Sequence, residues 1–139
     1  MASTIQDVMT TTLVTCPATA TIADAARLMR DREIGDVLVT GHGGRLAGIV
    51  TDRDLVVRCL ADGAAAEATI DQACSGNLTT VTPDSSIDDA VRLMRERSLR
   101  RIPVVDDGRA VGIVTLGDLA MHLDPNSALG DISAAAPNS

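Results

Sequence analysis

Two short stretches carry the residues best suited to chemistry. Gly48–Leu55 reads GIVTDRDL and Gly112–Leu119 reads GIVTLGDL. In each, an apolar run leads into a Thr, and an Asp follows three positions later. The run predicts a buried strand, and the Thr-x-x-Asp spacing predicts a helix start with Thr51 and Thr115 at the N-cap. Free backbone N–H groups and the positive end of the helix dipole gather at such a point and attract an anion such as phosphate. Carboxylates at Asp54 and Asp118 can accept two hydrogen bonds from a vicinal diol such as a ribose. The same spacing is also a plain capping box with Asp in the place of Glu, and duplication copies a cap as faithfully as a site. The residues alone leave both readings open.

The elements that must position these groups come in two copies. Thr21–Val39 (TIADAARLMRDREIGDVLV) and Ser86–Val104 (SIDDAVRLMRERSLRRIPV) match at 9 of 19 positions with an offset of 65, and the GIVT stretches match at an offset of 64. Each copy predicts the same order. A short strand lies around Leu13–Cys16 or Leu78–Val81, and a turn at Pro17 or Pro83 follows. An amphipathic helix then spans Ile22–Arg32 or Ile87–Arg97. Ile22, Ala25, Ala26 and Met29 form one apolar face, which Ile87, Ala90, Val91 and Met94 repeat. Thr21-x-x-Asp24 and Ser86-x-x-Asp89 open these helices in capping-box fashion. Two β segments come next, Asp36–Thr40 with Arg45–Thr51 and Arg101–Asp106 with Arg109–Thr115. GHGG at 41–44 joins the first pair, and Asp107-Gly108, a hairpin signal, joins the second. A second helix begins after each GIVT Thr. The repeats span 1–60 and 70–123. A small-residue connector occupies 61–69, and 124–139 reads as a tail. A unit of this size has a marginal core, so the copies are expected to pack sheet against sheet.

Composition excludes several functions. The chain has 139 residues, no Phe, Trp or Tyr, and 12 basic residues that are all Arg. Without Lys there is no Schiff-base or P-loop lysine. Without aromatics there is no ring on which a base of single-stranded nucleic acid could stack. A net charge of −7 disfavours nucleic acid and anionic membrane surfaces as partners. No apolar run approaches the ~20 residues that span a bilayer, and the N-terminus lacks secretory signal character, so a cytoplasmic location is expected. Cys16, Cys59 and Cys74 show no C-x-x-C spacing, which predicts reduced and mostly buried thiols rather than a zinc site or disulfide framework. His42 and His122 have no second ligand at metal spacing. Met29 and Met94 read as core, and the arginines at 27, 30, 92 and 95 as a solvated helix face. No nucleophile–base pair is evident, and the chain does not read as an enzyme.

The two repeats, their strand–helix–strand–strand–helix order and the G-h-h-T-x-x-D ending resemble a tandem cystathionine-β-synthase (CBS) domain pair. The resemblance covers about Gln6–Leu123. It implies an α+β fold of two β-α-β-β-α repeats packed as a pseudo-two-fold pair (a Bateman module). It also implies a non-catalytic sensor that requires no cofactor and binds AMP, ADP, ATP or another adenosyl ligand in clefts between the repeats. The alternative is a ligand-free scaffold that docks to an unknown protein partner. A homodimer formed through exposed helix faces is implied as well. Carried over residue by residue, Asp54 and Asp118 hold the ribose hydroxyls, and Thr51 and Thr115 bind the ribose or first phosphate. The backbone around Val37 and Ile102, with Thr15 and Thr80, reads the adenine. Arg53, Arg100 and Arg101, in a segment shared with Pro103, meet the phosphates. The copies depart from each other here: Gly35-Asp36 replaces Arg100-Arg101, Leu38 replaces Pro103, and Gly117 replaces Arg53.

Overall fold

The computed structural model of the chain describes residues 3–74 and 78–123. The tail at 124–139 lies outside the described residues. The main elements follow in the order β1 (Thr15–Pro17), α1 (Ile22–Arg32), β2 (Asp36–Thr40), β3 (Leu46–Thr51), α2 (Asp52–Asp54, continued as a π-helical stretch over Leu55–Leu60), α3 (Ile87–Arg97), β4 (Arg101–Asp106), β5 (Arg109–Thr115) and α4 (Leu116–Leu123). This is the mixed α+β architecture that the repeat pattern predicts. Both amphipathic helices occupy the predicted ranges. Met29 and Met94 are buried on their inner faces, whereas Ala26 is exposed. Thr21 and Asp24 exchange both capping-box hydrogen bonds. Ser86 accepts from the Asp89 N–H, but the Asp89 carboxylate turns to Arg92 instead.

Chain connectivity follows from local chemistry. Asp107 and Gly108 both adopt positive φ, 53° and 79°, the conformation that a two-residue hairpin turn demands. β2 and β3 pair antiparallel, as do β4 and β5, with Val37 opposite Val50 and Ile102 opposite Val114. The first strand differs between copies. β1 runs parallel to β2, and the Leu38 N–H donates to the Val14 carbonyl at 3.1 Å. Pro103 occupies the position of Leu38 and has no N–H to offer. The strand expected at Leu78–Val81 therefore reduces to one bridge between Val81 and Val104.

The chain folds into two packing units, and these cut across sequence order. One unit is built from described residues of 14–78 and contains β1 to β3. The other joins 3–13 to 79–123. A 3₁₀ turn at Ile5–Asp7, at the start of the first repeat, packs into the core that holds α3, β4 and β5. Ile5 is fully buried there with Ile102, Val104 and Val114, and its N–H donates to the Ser85 carbonyl. The matching turn at Ile70–Gln72, at the start of the second repeat, enters the other unit. Ile70 is fully buried there with Val37, Val39 and Val50, and its N–H donates to the Ala20 carbonyl. Each core is thus completed by the leading turn of the opposite repeat.

Two stability effects follow. Gly112 lies under this N-terminal segment: a Cβ placed on it would meet Met9 Sδ at 2.6 Å and the Thr10 carbonyl oxygen at 3.1 Å. Gly112→Ala should cost about 1–3 kcal/mol in urea unfolding, as overpacking does, and an unchanged midpoint would refute the close approach. Ile5→Ala and Ile70→Ala should each cost about 2–5 kcal/mol. By hydrogen exchange Ile70→Ala should expose β2 and β3 first, and Ile5→Ala should expose β4 and β5 first. The reverse assignment would refute the exchange of turns.

Candidate functional site

Both GIVT stretches form the strand-to-helix junctions that their spacing predicts. β3 ends at Thr51 in extended conformation and α2 begins at the next residue. The Thr51 N–H donates to Asp54 Oδ2 at 2.9 Å, and the Asp54 N–H donates to Thr51 Oγ1 at 3.1 Å. At the second junction the Thr115 N–H donates to Asp118 Oδ2 at 2.9 Å, and the Asp118 N–H donates to Thr115 Oγ1 at 3.0 Å. All four residues are half-buried. The capping reading and the ligand reading therefore coexist. Capping uses one oxygen of each carboxylate and the acceptor side of each hydroxyl, which leaves the hydroxyl hydrogen free to donate elsewhere.

The two junctions differ in what surrounds this common frame. At the first, Arg58 Nε sits 3.6 Å from Asp54 Oδ1, one helical turn along. Arg58 is half exposed, so the pair contributes little to stability, about 0.3–0.5 kcal/mol. The Asp52 N–H donates to the Gly35 carbonyl at 2.9 Å, and the Asp52 carboxylate lies against Gly35 and accepts the Arg53 N–H at 2.8 Å. Asp36 is the register partner of Thr51. At the second junction Arg101 is the register partner of Thr115, and the Leu116 N–H donates to the Arg100 carbonyl at 2.7 Å. Leu116 has no carboxylate to place beside the helix start. Among the described residues Asp118 Oδ1 has no ion-pair partner, and the position matching Arg58 is His122.

The remaining predicted site residues are spread along the strands. Val37 and Ile102 are fully buried, so only their backbone groups can meet a ligand. Pro103 is buried, Thr15 is exposed on β1, Thr80 is exposed beside the Val81 bridge of the second copy, and Arg53 and Arg100 reach solvent. Cys16 and Cys59 are buried, Cys74 is partly so, and all three are free thiols. Burial is the main cause that pushes each thiol above its ordinary range. Cys74 adds to the shift of Cys16, and Asp54 adds to those of Cys59 and Cys74. A raised thiol is a poor nucleophile at neutral pH. Among the described residues no three His, Cys, Asp or Glu side chains converge as a metal site, and no helix is long and apolar enough to cross a membrane.

Outside the junctions, each unit carries an apolar groove between its helices. One of about 400 Å³ is lined by Ile22, Ala26, Leu55 and Leu60, and one of about 610 Å³ by Val91, Leu99, Leu116 and Leu123. Leu60 is 73% exposed and Leu123 60%. Two features escaped the sequence reading. The Asp54–Arg58 pair was visible as an i, i+4 spacing. The exchanged turns were signalled by Thr4-Ile5 recurring as Thr69-Ile70 at the repeat offset of 65.

The comparisons with known proteins agree with this geometry. Hypoxic response protein 1 of Mycobacterium tuberculosis is 33% identical over 133 residues, covering 95% of this chain and 93% of that protein. A crystal structure of Hypoxic Response Protein I with two coordinated zinc ions superposes with a TM-score of 0.79 at 35% identity, covering 86% of this chain and 98% of that one. The CBS domain pair of protein MJ0100, solved in complex with 5′-methylthioadenosine and S-adenosyl-L-methionine, gives a TM-score of 0.80 at 26% identity, covering 91% of this chain and all of that one. CBSX2, solved in complex with AMP, gives 0.77 at 26% identity, covering 87% and 96%. The CBS domain pattern itself matches twice, at residues 5–60 and 70–124. With both copies of the motif on a matching fold, this chain belongs to the CBS domain family and carries two CBS domains.

Proposed function

We propose that the chain is a non-catalytic regulatory module that binds adenine nucleotides or related adenosyl compounds at its Thr-x-x-Asp junctions. The observation that carries this reading is the division of labour within each carboxylate. One oxygen of Asp54 and of Asp118 holds the helix start, and the other is left over from capping. A half-buried carboxylate with spare acceptor capacity suits a ribose diol, and the adjacent Thr hydroxyl can donate to the ribose or first phosphate. In this reading backbone near Val37 and Ile102, with Thr15 and Thr80, meets the base. Arg53, Arg100 and Arg101 meet the phosphates. The complexes of related CBS proteins with AMP and with two adenosyl compounds support the ligand class.

The exposed apolar grooves favour a second reading, in which the chain is an interaction scaffold whose helix faces pair with another copy or dock to a partner protein. Large exposed aliphatic side chains such as Leu60 and Leu123 are the usual mark of a contact surface.

Calorimetric titration of AMP, ADP and ATP into the full chain separates the two. Under the first reading binding is saturable. Asp118→Asn, which preserves capping geometry, then weakens it about tenfold or more, as expected for a lost charge-assisted hydrogen bond. Binding that is unchanged in both Asp54→Asn and Asp118→Asn would remove the ribose role. No binding by any adenosyl compound, together with a dimer mass by light scattering, would favour the scaffold.

A further inference from the structure

Six equivalent positions surround the two junctions, and their charges differ, the sign inverting at Asp36 and Arg101. The first junction carries three acids and two arginines: Asp36, Asp52 and Asp54 with Arg53 and Arg58. The second carries Arg100 and Arg101 with the single acid Asp118. The positions are structurally equivalent, because register and hydrogen bonding match. Asp36 pairs with Thr51 as Arg101 pairs with Thr115, and the Asp52 N–H bonds the Gly35 carbonyl as the Leu116 N–H bonds the Arg100 carbonyl. The inversion reaches the atoms an anion would need. Asp52 Oδ1 already occupies the Arg53 N–H at the start of α2, so a carboxylate sits where an incoming phosphate oxygen would bind. Arg58 Nε lies 3.6 Å from the spare oxygen of Asp54, the acceptor proposed for the ribose. At the second junction Leu116 stands where Asp52 does at the first, so Asp118 is the single carboxylate at the helix start, and the backbone of both arginines is fixed beside it.

We infer that the two CBS repeats select ligands of opposite charge: the second takes a 5′-phosphorylated adenosyl compound, and the first rejects phosphate and admits only an adenosyl compound that is neutral or cationic at the 5′ position. The inference rests on the adenosyl reading above and narrows it: phosphate contact falls to Arg100 and Arg101, and Arg53 has no phosphate role at the first repeat. Like-charge juxtaposition is the element of selectivity at the first repeat, with Asp36 and Asp52 repelling phosphate. Paired guanidiniums are the attractive element at the second. Arg58 competes with the ribose for Asp54, so occupation of the first repeat requires that side chain to move away.

The test uses the full chain with AMP and 5′-methylthioadenosine as the two titrants. AMP should saturate at about one per chain, and its affinity should fall as salt rises. Transplanting the first repeat's residues into the second, as Arg100→Gly with Arg101→Asp, should weaken AMP at least about tenfold more than it weakens 5′-methylthioadenosine. The reciprocal change, Asp36→Arg with Asp52→Leu, should add a second equivalent of AMP. Each pair replaces residues by those the same fold already holds at the equivalent position, and retained thermal unfolding confirms an intact chain. AMP binding at two equal sites in the wild-type chain, or equal losses of both titrants in the first variant, would overturn the inference while leaving the adenosyl reading standing. Failure of both titrants to bind would overturn the two together.

Discussion

At each junction between hairpin and helix, a Thr and an Asp hold one another through two hydrogen bonds, and the rest of the structure is arranged around that pair. The bonds satisfy two backbone groups at a half-buried point of the chain path, where a strand turns into a helix. They also fix the carboxylate rotamer. A free Asp would sample several orientations and lose entropy on meeting a ligand. Asp54 and Asp118 have already lost that freedom in stabilising the helix start, so their remaining acceptor sites are pre-aimed. The structural and functional roles of the motif are therefore one arrangement seen from two sides of the same carboxyl group.

Much of this was legible in the sequence, and for identifiable reasons. The helices Ile22–Arg32 and Ile87–Arg97 declare themselves because apolar residues recur at helical spacing between a capping Thr or Ser and a run of charges. Both ends fall where those signals place them. The hairpins were readable because Asp107-Gly108 suits a turn with two positive φ values. The short strand of the second copy was not readable by analogy with the first. Its absence depends on one backbone hydrogen that Leu38 possesses and Pro103 lacks, a difference invisible to hydrophobic pattern. The partnership of Asp54 with Arg58 follows an i, i+4 spacing and is within reach of spacing rules.

The absence of aromatic residues shapes the cores in a way that local pattern does not reveal. A core of Val, Ile, Leu, Ala, Met and Cys offers no large planar group to close its ends. Ile5 and Ile70 supply the missing volume, and each arrives from the far side of a repeat boundary. Sequence similarity identifies where a repeat unit recurs, but it says nothing about which copy a given turn packs into. That depends on where the chain can reach.

The exchange of turns has a consequence for the ancestry of this architecture. A gene encoding one repeat alone would produce a chain whose leading turn has no place in its own core. Two such chains could complete one another only by each lending its turn to the other, which is a domain-swapped homodimer. Such an assembly comes apart on dilution. Joining the two copies end to end turns the partner's turn into a tethered one at high effective concentration. The connector thus makes the fold independent of how much protein the cell contains, and it frees the copies to diverge in charge without losing each other.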